Sequence, residues 1–141
     1  MRIFLITGAT GFIGQRDIKA INGNIKILSR KKQLNYETIV CNLQSEFLPK
    51  SALNGVDTVF HLAGISHDAR DANKIKDLYY KVNVSATVQL ANLAVESGVK
   101  RFVFVSSVKA GGNPPLGTCA NEKDQKNTED VYGKTKREAE L

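Results

Sequence analysis

Met1–Gly14, MRIFLITGATGFIG, changes character at Thr7, and the rest of the chain is read from that change. Ile3–Ile6 is an apolar run that reads as a buried strand, and the glycines at 8, 11 and 14 mark a strand turning straight into a helix. Gly8 permits a tight turn, Gly11 lets the main chain approach a diphosphate, and Gly14 lets the new helix lie close to the sheet. Free N–H groups and the positive end of the dipole at that helix start form an anion site. Glycines so spaced also occur in ordinary turns. The preceding strand, with Phe12 and Ile13 placed to pack under the sheet, favours dinucleotide binding.

Further along, a short helix is expected through Ile21, closed by Asn22-Gly23-Asn24, since Gly and Asn accept the left-handed cap conformation. Asp17 stands where an inward apolar residue would be convenient. Ile25–Leu28 reads as the second strand, Glu37–Leu43 as the third, and Phe47–Leu53 as a helical turn or two with Pro49 near its start. Asp57–Ala63 is almost wholly apolar, as a strand covered on both faces must be, and ends at Gly64, where a ligand can lie against the backbone. His61 falls within that strand end and reads as a core residue rather than a base. From about Ala69 to Gly98, Ile75, Leu78, Tyr79, Val82, Ala86, Leu90, Leu93 and Ala94 recur at helical spacing, with Asn83 on or beside the stripe. Phe102–Val105 is a fifth strand ending in Ser106-Ser107. Val108–Asn127 has no period and reads as a functional loop, after which Thr128 caps a final charged helix.

Strands alternating with helices after a glycine turn predict an α/β fold with a doubly wound parallel sheet, and 141 residues make one domain. Twenty Lys and Arg against 14 Asp and Glu give +6, which suits a phosphate-rich partner. The basic residues are scattered, with neither the aromatic interleaving of an RNA-binding sheet nor a recognition helix, so nucleic acid is not expected. Cys41 and Cys119 belong to no metal-ligand spacing, and no apolar run is long enough to span a bilayer. A cytoplasmic protein without metal or membrane partner is expected.

About twenty residues after Gly8, where a carboxylate would hold the adenosine ribose of NAD, stand Ser29, Arg30, Lys31 and Lys32. Basic groups and a hydroxyl can receive a 2′-phosphate, so local chemistry leans toward NADP; Arg30 stacked on adenine or facing water is the alternative. In the last helix Tyr132 and Lys136 are four residues apart and share a face. An ammonium beside a phenol lowers the phenol's pKa, and Ser107 at the end of the fifth strand can hydrogen-bond the same substrate oxygen. Tyr132 would then move a proton while a nicotinamide accepts or gives a hydride.

The motifs GATGFIG (8–14 carrying the glycines), HLAG (61–64), VNVSAT (82–87), FVFVSS (102–107) and YGKTK (132–136) resemble the extended short-chain dehydrogenases/reductases, in particular the NAD-dependent epimerase/dehydratase branch that acts on nucleotide sugars. The resemblance implies a Rossmann fold, with Gly8, Gly11, Phe12, Ile13 and Gly14 along the diphosphate of NAD or NADP and Arg30 at the adenosine. It places Leu62, Ala63 and Gly64 under the ribose side, and Tyr132 and Lys136 on the nicotinamide ribose as well as in catalysis with Ser107. Asn83 matches the helix asparagine that helps organise the site. SSVKA (106–110) is similar to bacterial polysaccharide-pathway UDP-sugar 4-epimerases or 4-keto reductases. A nucleotide sugar, most simply a UDP-sugar, is thus the implied substrate, and a homodimer is compatible. Asn42 replaces the acidic residue that commonly contacts adenine. The sixth strand and sugar-binding domain of the family have no counterpart in these residues, so weak or no turnover is expected of the chain alone. A non-catalytic NAD(P)-binding or redox-sensing module is the alternative.

Overall fold

The computed structural model describes all 141 residues, Met1–Leu141. Strands β1 (Ile3–Thr7), β2 (Asn24–Ser29), β3 (Glu37–Val40), β4 (Thr58–His61) and β5 (Arg101–Phe104) form one parallel sheet in the order β3-β2-β1-β4-β5. β1 lies between β2 and β4, with Ile6 opposite Ile27 and Phe60, and Thr7 opposite Leu28 and His61. The direction of strand addition therefore reverses at β1, and a crevice opens outside the carboxyl ends of β1 and β4.

Alternation along β1 supplies both faces. Leu5 joins Leu28, Val59, Leu90 and Leu93 in the larger core, beneath helix α3 (Ala86–Glu96). Ile6 joins Ala9 and Ile27 on the other face, beneath helix α1 (Gly14–Ala20). α1 has only seven residues, of which Gly14 alone is buried, so this second core is thin. The helix ends on an extended Ile21 rather than on a left-handed glycine. Gly23 has a different role from the expected cap: a Cβ there would come within 2.5 Å of the Phe4 ring and 3.0 Å of the Arg2 carbonyl.

The long helical stripe is real but starts later than expected. Helix α2 (Lys76–Tyr80) runs into a π-turn at Lys81–Ser85 and then into α3. A single-turn 3-10 helix occupies Lys50–Leu53 behind Pro49, and another, Val108–Gly111, follows Ser107. Helix α4 (Val131–Glu140) is capped by Asp130 and not by Thr128, because the Asp130 carboxylate accepts from the Gly133 N–H at 2.6 Å. No helix is long and apolar enough to cross a membrane.

Candidate active site

The glycine turn is set by close backbone approach. Gly8 leaves β1 with φ +70°, and a Cβ there would lie 2.7 Å from the Ala63 nitrogen and 2.8 Å from the Leu62 carbonyl carbon. The turn thus rests directly on the end of β4. A Cβ on Gly14 would overlap the Gly8 carbonyl and the Ala9 main chain. The Gly11 N–H is spent on the Gly8 carbonyl, whereas the N–H groups of Phe12, Ile13 and Gly14 have no acceptor within the chain. Phe12 and Ile13 do not pack under the sheet as expected. Phe12 is 76% exposed and lies 3.6 Å from the Arg16 guanidinium, which also donates to the Phe12 carbonyl at 2.7 Å. The inward side of α1 is carried by Ile18, whereas Phe12 and Ile13 precede its first residue and stay outside.

A cleft of about 360 Å³ opens beside this turn and is lined by Gly8, Ser29, Arg30, Asn42, Ala63 and Gly64 among others. It brings together the glycine turn, the basic end of β2 and the end of β4. Arg30 is exposed, and its guanidinium has no partner within the chain. Leu62, in contrast, packs against the thin core around Ile6 and Ile27.

Asn83 is buried in the π-turn. Its Oδ1 accepts from the Ile65 N–H at 2.8 Å, and its Nδ2 donates to the Ile65 carbonyl and to Thr135 Oγ1, both at 3.0 Å. One amide therefore clamps the loop after Gly64 and reaches α4, where Thr135 in turn donates to the Tyr132 carbonyl at 2.9 Å. Every polar atom of the amide is used, which answers the cost of burying it.

On α4, Tyr132 is half-buried and Lys136 is 4% exposed. The Lys136 ammonium donates to the Val105 carbonyl at 2.7 Å and lies 4.1 Å from the centre of the Phe104 ring. Burial pushes its pKa down to about 8, against the opposing pull of Glu140 one turn on. Ser107 Oγ accepts from the Lys109 N–H at 3.3 Å and opens the 3-10 turn. That turn is clasped to α4: Lys109 Nζ donates to Asp130 at 2.7 Å, and a Cβ on Gly133 would come within 2.6 Å of the Lys109 carbonyl oxygen. Ser107 lines a second cleft of about 700 Å³ with Ser106, Gly112, Asn121 and Glu140; Tyr132 and Lys136 line neither cleft. No hydrogen bond joins Ser107, Tyr132 and Lys136 to one another.

Sequence reasoning missed the Lys109–Asp130 clasp, the π-turn and the bonding of His61. The Asp130 cap had a signal, an Asp three residues before Gly133, but its pairing with Lys109, 21 residues away, had none. No group of three metal-ligating side chains comes together.

A parallel sheet in this strand order, with a glycine turn at the point of reversal, defines a Rossmann fold. Within that class the chain belongs to the NAD dependent epimerase/dehydratase family, whose model matches residues 4–141. It is 35% identical to a UDP-glucose 4-epimerase of Vibrio cholerae over 149 aligned positions, covering 96% of this chain and 44% of that protein. It is 32% identical to the N-acetyl-alpha-D-glucosaminyl-diphospho-ditrans,octacis-undecaprenol 4-epimerase of Escherichia coli O157:H7, covering 96% and 41%. Among solved structures, MoeE5 in complex with UDP-glucose and NAD superposes with a TM-score of 0.83 at 31% identity, over 97% of this chain and 46% of MoeE5. The chain spans less than half the length of each of these relatives.

Proposed function

We propose that residues 1–141 are the NAD(P)-binding part of a nucleotide-sugar epimerase, dehydratase or reductase, with a UDP-sugar as substrate. One observation carries the reading: the N–H groups of Phe12, Ile13 and Gly14, in a turn with no room for a Cβ at Gly8 or Gly14, lack acceptors within the chain, which is the donor set a diphosphate needs. Ser29 and Arg30, lining the adjoining cleft, would receive the adenosine ribose, and Arg30 can pair with a 2′-phosphate. Ala63 and Gly64 offer bare backbone on the opposite wall.

A bound nicotinamide dinucleotide supplies the hydride acceptor or donor. The chain's own residues would handle the proton. Tyr132 takes it from a sugar hydroxyl or returns it to a carbonyl, Ser107 holds that oxygen, and Lys136 places a positive charge one helical turn from the phenol. Asn83 and the Lys109–Asp130 clasp would hold the two halves of this arrangement in register. Two observations favour the alternative of a binding module without catalysis: the Lys136 ammonium is committed to Val105, and Tyr132 lines neither cleft.

Two measurements test this. Calorimetric titration of the folded chain should show NADH or NADPH binding, and its absence would remove the dinucleotide reading. In the protein carrying its sugar-binding portion, Tyr132→Phe should retain cofactor and lose UDP-sugar turnover, whereas a binding module would lose nothing.

A further inference from the structure

Thr7, His61 and Thr87 are all buried and joined in one chain of hydrogen bonds whose two ends have fixed polarity. At one end the Ala63 N–H donates to Thr7 Oγ1 at 3.1 Å, and Thr7 Oγ1 lies 2.6 Å from His61 Nδ1. At the other, Thr87 Oγ1 donates to the Asn83 carbonyl at 2.7 Å and lies 2.8 Å from His61 Nε2. An amide N–H can only donate and a carbonyl can only accept. The Thr87 hydroxyl has therefore spent its proton on Asn83 and must accept from His61, which requires hydrogen on Nε2. A neutral ring then leaves Nδ1 free to accept the proton of Thr7. Every link is satisfied once, in one direction, from Ala63 to Asn83.

The two ends of this chain belong to different parts of the proposed site. Thr7 and Ala63 are the residues next to Gly8 and Gly64 on the cleft wall, and Asn83 is the residue of the π-turn that clamps Ile65 and reaches Thr135 on α4. We infer that His61, held as the neutral Nε2–H tautomer, is a positioning residue that couples the dinucleotide-binding edge of β1 and β4 to the π-turn and through it to the helix bearing Tyr132. The inference rests on the proposed dinucleotide site. His61 touches no ligand in this scheme; it acts through Thr7 and Thr87.

The distinguishing feature of a relay is that its remote end matters. Thr87 is on α3, does not line the dinucleotide cleft, and can be changed almost isosterically. Thr87→Val keeps the shape and removes the hydroxyl, leaving His61 Nε2–H and the Asn83 carbonyl without their partner; Thr87→Ser keeps the hydroxyl. With the folded chain and NADH as probe, Thr87→Val should weaken binding about tenfold, because the β1–β4 edge is no longer held to the π-turn, and Thr87→Ser less than about twofold. Long-range 1H–15N correlation spectra of the unmodified chain should show His61 protonated on Nε2 only, with His67, exposed on the loop after β4, as internal comparison. Unchanged NADH affinity in Thr87→Val, equal losses in both variants, or hydrogen on His61 Nδ1 would each overturn the coupling. Should Thr87→Val fail to fold, Thr87→Ala replaces it in the NADH titration under the same criteria, with Thr87→Ser as its control. A folded wild type that binds no NADH overturns the dinucleotide reading and the positioning role with it, while the nitrogen spectrum reports separately on the hydrogen-bond chain.

Discussion

Adding one methyl group at Gly8 tests the glycine turn most directly, because the two costs it incurs can be measured apart at other glycines. Gly98 has φ +71° and nothing within 4 Å of a built Cβ, so Gly98→Ala incurs only the left-handed conformation. That costs about 1–2 kcal/mol, less about 0.4–1 kcal/mol returned by stiffening the unfolded chain, for a net loss of about 1 kcal/mol. Gly14 lies in α1 with no positive φ, and a Cβ there meets main-chain atoms of Ala9 at 2.6 and 2.9 Å. Gly14→Ala therefore sets an overpacking cost of about 1–3 kcal/mol against a helix-propensity gain of about 1 kcal/mol. Gly8 combines both burdens, with φ +70° and a Cβ pressed on the Ala63 and Leu62 main chain. Gly8→Ala should thus lose about 2–4 kcal/mol, a large part of the 5–15 kcal/mol typical of a domain. Urea unfolding followed by far-ultraviolet circular dichroism reads all three. A Gly8→Ala loss within about 0.5 kcal/mol of that of Gly98→Ala would show that the turn does not rest on β4 as described.

Three further outcomes are expected. Burial, and secondarily the Lys136 charge, push His61 down to about 4, so the unfolded chain binds the extra proton between the two pKa values. Stability is then complete above pH 6.5 and should fall by about 2–3 kcal/mol on going to pH 4.5; a flat profile in urea melts over that interval refutes it. Glu140→Gln removes the charge that props up Lys136, and its ammonium, followed by heteronuclear NMR, should titrate below about 8; an unchanged midpoint would show that Glu140 does not act on it. Arg30→Ala should cost NADPH binding about tenfold and leave NADH within about twofold, as loss of one charge-assisted pair predicts; equal effects on both would remove the 2′-phosphate role.

Much of the architecture was legible because it rests on local signals. β1, the turn at Gly8 and the apolar β4 follow from period and glycine placement, and parallel order follows from the alternation of strands with helices. The ends of elements were less so. Val40 rather than Leu43 closes β3, and His61 rather than Ala63 closes β4, because pairing with neighbouring strands, not side-chain apolarity, decides where a strand stops. Phe12 lies outside rather than under the sheet, since it precedes α1 and packs against the Arg16 guanidinium instead. Among the site residues, Gly8, Arg30, Ala63 and Gly64 do share one cleft, as their positions at strand ends required. His61 was legible as buried but not as bonded, since its partners Thr7 and Thr87 lie 54 and 26 residues away and are ordinary threonines in the sequence.

The π-turn at Lys81–Ser85 makes the placement of Asn83 sensitive to length in a way that composition does not reveal. Such a turn is an α-helix holding one surplus residue, so shortening that segment by one lets it relax into ordinary helix while α2 and α3 keep their facing, and only the residues inside the turn change place. Asn83 would then swing off Ile65 and Thr135 although no side chain had been altered. Homologous chains that trim this helix by a single position would have to rebuild the fastening of the β4 loop from other atoms, whereas many substitutions on its outer surface would pass unnoticed.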